Sequence, residues 1–143
     1  MARVFLRIDL GPAGAIGPGK VRLLEHIGDS GSISAAARAM RMSYRRAWLL
    51  IDALNKCFGR PVVSASTGGS HGGGATLTRL GVEIIKRYRD MERAAERAMA
   101  RHLAALDNAA IRERSGGSSR QRAPRPSNRA RPRHHPERRT RRS

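Results

Sequence analysis

Residues 31–55 read GSISAAARAMRMSYRRAWLLIDALN. Two short helical segments meet there at a joint of a few residues. In the first, Ile33, Ala36, Ala37 and Met40 fall on one helical face, and Ser32 or Ser34 can cap its start. The alanines let a second helix come close. Arg41 and Met42 make the joint, with Met42 turned inward. Ser43 then caps a helix over about 44–58, whose inner stripe is Ala47, Ile51, Leu54 and Phe58. Its outer face carries Arg45, Arg46, Leu49, Asp52 and Lys56. Two arginines in a first turn oppose the helix dipole, at a few tenths of a kcal/mol each. A phosphate or a guanine edge nearby reverses that sign, so the pair points to DNA.

The flanking sequence fits. Residues 4–10, VFLRIDL, alternate, so Val4, Leu6, Ile8 and Leu10 share a face and predict one short strand. GPAGAIGPG follows as a turn region, and from Lys20 the period becomes helical, with Val21, Leu24 and Ile27 on one face. After the helix pair, Gly59-Arg60-Pro61 breaks the chain. Two short strands, 61–66 and ATLT, then flank the glycine-rich TGGSHGGG. Thr78 can cap a long helix to about residue 112, whose apolar positions include Leu80, Ile84, Tyr88, Met91, Ala95, Ala98 and Leu103. It is too long to pack wholly on so small a domain, so part of it should meet another chain. The order strand, helix, helix–turn–helix, hairpin, helix is that of a winged helix-turn-helix: mainly α, with a small β-hairpin wing and a long dimerisation helix. The predicted divisions are 1–17, 18–78, 79–112 and an arginine-rich 113–143.

Composition agrees. The chain has 143 residues, 29 Lys+Arg against 11 Asp+Glu, and a formal charge of +18, a field that favours polyanions. Residues 115–143 hold ten arginines and one glutamate, half of that charge. With almost no apolar residues they should stay disordered and contact phosphates without reading bases. Aromatics are few, which argues against recognition by stacked bases on a sheet. The single cysteine, Cys57, excludes an internal disulfide and reads as a small buried hydrophobe. No apolar run approaches a membrane span and no signal peptide is visible, so the expected location is cytoplasmic. The histidines have no metal-site spacing, and no catalytic constellation stands out, so neither metal, cofactor nor enzymatic activity is expected. TGGSHGGG lacks the Lys-Ser/Thr ending of a nucleotide-binding loop and reads as a wing tip. Trp48 reads as core.

The stretch at 31–55, together with TGGSHGGGATLTRLG, resembles the DNA-binding domain of the molybdate-responsive ModE regulators, a LysR-type winged helix. The resemblance covers about residues 18–100. Its most specific pieces are SYRRAW and the run from Thr67 to Gly81; the wider LysR pattern shows in Ile51, Leu54, Gly59, Pro61, Leu77, Thr78 and Gly81. It implies a homodimer joined by the long helix, on which Tyr88, Met91, Ala95 and Ala98 form one stripe and are the expected interface. It implies contacts to double-stranded DNA from Ser34, Ser43, Tyr44, Arg45 and Arg46, with Leu49 and Lys56 on the same face, and from wing residues Gly69, His71, Gly72 and Gly73. Full-length members also carry paired β-barrels that bind molybdate. No residues here match that oxyanion site, so molybdate sensing is not implied. The expected function is a sequence-specific transcriptional regulator. An architectural, largely non-specific DNA-binding protein is the alternative, for which charge alone would suffice.

Overall fold

A computed structural model of the protein describes residues 1–66 and 74–116, with side chains through residue 110. The elements are β1 (Ile8–Asp9), a 3-10 turn (Gly11–Ala13), β2 (Ala15–Ile16), α1 (Pro18–Ser30), α2 (Ile33–Ala39), α3 (Tyr44–Phe58), β3 (Val63–Ser66), β4 (Gly74–Leu77) and α4 (Arg79–Gly116). The two strand pairs are separate antiparallel ribbons, β1 with β2 and β3 with β4. In the second, Val63 faces Leu77 and Ser66 faces Gly74. The wing tip and residues 117–143 lie outside the described residues. So do the expectations placed on Gly69, His71, Gly72 and Gly73 and on the arginine-rich segment.

One core joins four helices and the wing. Val21, Leu23, Leu24 and Ile27 of α1 meet Ile33, Ala36 and Ala37 of α2, Ala47, Ile51 and Leu54 of α3, and Val62, Val63 and Ala75. Burying each large aliphatic side chain stabilises the fold by about 1.5–3 kcal/mol. Ala36, Ala37 and Ala47 are buried where the helix pair crosses, as the small residues predict. Pro18 opens α1 at a position where its missing N–H is not needed. Gly31 closes it in the left-handed region at φ 66°, its N–H donating to Ile27 O at 2.9 Å. The Gly31 carbonyl then accepts from Ala75 N at 2.9 Å, which pins the wing to the start of the helix pair.

Wing and α4 share a second anchor. Asn55 Oδ1 accepts from Val62 N at 2.8 Å. The Thr78 hydroxyl donates to Pro61 O and accepts from Gly81 N, capping α4. Gly81 is required there, because a methyl group would overlap the Val62 carbonyl oxygen.

The N-terminus departs from expectation in an informative way. Strand geometry is confined to Ile8 and Asp9, and the Gly/Pro stretch supplies the partner strand Ala15–Ile16. The alternation is real: Ala2, Val4, Leu6 and Ile8 are half-buried and the residues between them are exposed. Yet the face they make lies on helix α4, not on a sheet. Ala2 N donates to Asp107 Oδ1 at 2.6 Å, and Leu6 O accepts from the Tyr88 hydroxyl at 2.8 Å. This corrects the placing of Tyr88 on an outward dimer stripe. Tyr88 is 1% exposed and belongs to the core of its own chain, because the N-terminal segment covers it and satisfies its hydroxyl.

Candidate nucleic-acid interface

The two helices of residues 33–58 are fixed at every free end. Ser32, rather than Ser34, caps α2, accepting from Ala35 N at 3.1 Å. Ser43 caps α3, accepting from Arg46 N at 3.1 Å. Between them the chain closes α2 with a paired hydrogen bond, Arg41 N to Arg38 O and Met42 N to Ala37 O. That closure places Arg41 at φ 55°, a conformation usually given to glycine. Together they set the angle at which α3 leaves α2.

Helical spacing divides α3 into an inner stripe and three accessible ones. Ala47, Ile51 and Leu54 are fully buried. Arg45, Leu49, Asp52 and Lys56 point away from the core and are exposed, Leu49 at 59%. Tyr44 and Trp48 form the flank next to the wing. Their rings meet edge to face with centroids 6.3 Å apart. They line a small crevice of about 150 Å³ together with Ser32, Ser34, Ser66 and Gly74. Arg46 and Leu50 form the opposite flank and line a larger crevice with Arg7 and Lys20.

The expected contact residues therefore do not all lie on one face of α3. Arg45, Leu49 and Lys56 share the outward face. Ser34 and Tyr44 sit toward the wing, Ser43 is engaged in capping, and Arg46 is turned to the other side. Lys56 is held 2.8 Å from Asp52, which raises its pKa through a direct hydrogen bond. A phosphate would have to compete with that carboxylate. Arg7 and Lys20 were missed from the sequence, since nothing local in VFLRIDL or GPGK announces a neighbour on α3. Among the described residues no group of three or more His, Cys, Asp or Glu is placed to hold a metal. No helix there is long and apolar enough to cross a membrane.

A capped helix pair, a β-hairpin wing beside it and a long helix leaving the wing together define a winged helix-turn-helix DNA-binding domain. Residues 19–82 match the family of bacterial regulatory helix-turn-helix proteins, lysR family. The chain is 40% identical over 95 residues to the transcriptional regulator ModE of Haemophilus influenzae, a match covering 66% of this chain and 37% of that protein. It is 47% identical over 77 residues to the molybdenum-pterin-binding protein MopB of Rhodobacter capsulatus, covering 54% of this chain and 28% of the relative. These matches span only about a third of the relatives' length. A solved structure described as "Crystal structure of CbnR_DBD-DNA complex" aligns with a TM-score of 0.48 at 23% identity, over 62% of this chain and 95% of that one.

Proposed function

We propose that the protein is a sequence-specific DNA-binding transcriptional regulator that acts in the cytoplasm as a two-fold dimer on double-stranded DNA. The observation that carries this reading is the outward face of α3. Arg45 and Leu49 are exposed on a helix whose start, angle and inner face are all fixed. An arginine can bond guanine O6 and N7 together, and an apolar side chain can meet a thymine methyl, each in the major groove. A purely architectural binder needs charge but has no use for an ordered, capped reading helix.

The dimer rests on α4. Met91, Ala98 and Leu106 are exposed and Ala95 is half-buried, all toward one side of the helical repeat. A two-fold axis through that stripe would place two copies of α3 on half-sites about one helical turn, roughly 34 Å, apart. Selection from a random duplex library tests the proposal. A discrete motif with two inverted half-sites supports it; equal recovery of all sequences refutes it.

A further inference from the structure

The crevice on the flank of α3 opposite the wing has a volume of about 390 Å³ and gathers three cationic side chains from three parts of the chain. Arg7 comes from the segment before β1, Lys20 from α1 and Arg46 from α3. The remaining lining is Ala15, Gly17, Pro18, Gly19, Met42 and Leu50, without a carboxylate. Lys20 is positioned by donating to the Ala15 carbonyl at 2.8 Å. Elsewhere the fold pairs many of its cations: Lys56, Lys86, Arg87, Arg89 and Arg93 all meet acidic partners. Among the described residues no acid lies within ion-pair distance of Arg7, Lys20 or Arg46. Three like charges converging on one concave site repel one another, and an anion in the crevice would reverse that.

We infer that this crevice holds a backbone phosphate of the bound DNA, so that Arg46 anchors the duplex while Arg45 reads it. The inference rests on the DNA-binding reading above and deepens it. An α-helix with its side chains is about 10–12 Å across, and the major groove is about 12 Å wide. A helix in the groove therefore turns its outward face to the base edges and its flanks to the two phosphate strands. Arg45 is on that face; Arg46, one residue on, is on a flank. The two arginines thus divide the work of a base contact and a positioning contact. Arg7 and Lys20 extend the anchor beyond the helix pair.

Full-length protein and four variants, Arg7→Gln, Arg46→Gln, Gly19→Glu and Arg45→Gln, would be compared by library selection and by salt titration on the selected site. Arg7→Gln and Arg46→Gln should each weaken binding about tenfold and flatten log affinity against log salt by about 0.9, with the motif unchanged. Gly19→Glu places a carboxylate in the crevice. A side chain there meets nothing within 4 Å, and an acid in the first turn suits the helix. It should weaken DNA binding while melting no lower than the parent, which separates charge repulsion from misfolding. Arg45→Gln should change the motif. Unaltered slopes in Arg46→Gln and Gly19→Glu would overturn the inference, as would a shifted motif in Arg46→Gln. A parent that selects no motif refutes the regulator reading instead, and the slopes still decide the crevice.

Discussion

Helix α3 has 15 residues and α4 has 38, and the fold holds them differently. Along α3 a buried residue recurs from Ala47 to Leu54, and both ends are capped by Ser43 and by Gly59 at φ 64°. Along α4 the buried residues stop early, at Gly81, Ile84 and Tyr88. From residue 91 to 110 nothing is fully buried, and the half-buried stripe Glu92, Ala95, Met99, Leu103 and Asp107 is accompanied by the extended N-terminal segment. Helix α3 therefore takes its position from its own domain. The long helix takes its direction from its root and leaves most of its length for something else to cover. In a dimer, that root would set the distance between the two copies of α3.

Breaking the root has the largest expected effect. Gly81→Ala forces a methyl group against the Val62 carbonyl, which is backbone and cannot rotate away. The variant should lose about 2–4 kcal/mol of stability, as overpacked sites do. Thermal melting measures this; a melting temperature equal to the parent's would mean α4 does not leave the wing as described. Gly59→Ala is a useful companion, since the space there is open and only the positive φ is strained. Its loss should be smaller, about 1 kcal/mol.

Further along α4, Met91→Glu should leave the fold intact, because Met91 is 39% exposed. If the stripe is the dimer contact, the change buries a charge without a partner and weakens association at least tenfold. Sedimentation over a concentration series reads it directly. A parent that is monomeric at micromolar concentration, or a variant that dimerises as well as the parent, removes α4 as the interface.

The same contrast explains what the sequence made legible. Periodicity marks α3 to the residue because its inner stripe, its serine cap and its glycine stop all lie within one window. It also marks the alternation over residues 4–10, of which Val4, Leu6 and Ile8 share a covered side while Leu10, expected with them, is exposed. Alternation says that one side of a segment is covered, not by what, and here the cover is a helix about eighty residues later. Tyr88 was misplaced for the same reason, since its partner is the distant Leu6 carbonyl. The glycine-rich stretch at 11–19 hid the strand Ala15–Ile16, two residues long and too short to carry a pattern. Arg46 showed its charge in the sequence, but its neighbours Arg7 and Lys20 are brought to it only by the packing of three elements.

A smaller effect is expected at the contact that aims α4 against α1. Arg89 donates to both oxygens of Glu25, at 2.7 and 2.8 Å, and to Glu92, while lying over the Tyr88 ring. The hydrogen bond from Arg89 holds the Glu25 carboxyl below its ordinary 4.5. A depressed acid contributes stability above its unfolded pKa and loses it as pH falls through the folded value. Arg89→Met should therefore cost about 1 kcal/mol near pH 7, modest because both side chains are about a third exposed. The gap between parent and variant should close as pH drops below 4.5. A gap that stays constant from pH 7 to pH 3 would show that Arg89 acts through packing of its stem rather than through the ion pair.

The smallest effect returns to the joint between α2 and α3, where stability and function pull apart. Arg41 occupies the left-handed region at φ 55° while its N–H and that of Met42 close α2. A side chain in that conformation costs roughly 1–2 kcal/mol relative to glycine. Glycine in turn adds about 0.5–1 kcal/mol of unfolded-state entropy to be lost on folding. Arg41→Gly should thus gain about 0.5 kcal/mol, a rise of a few degrees in melting temperature. An arginine held at a strained, exposed position is what a charge contacting a phosphate beside the reading helix would look like. The same variant should then bind its DNA site less tightly and with a shallower salt dependence, by about 0.9 in log–log slope for one lost contact. Its base preference should not move, because Arg45 and Leu49 keep their positions. More stability with weaker binding would separate the strain from the charge. More stability with unchanged binding would leave the joint as geometry alone, and less stability would mean the paired closure of α2 is not formed as described.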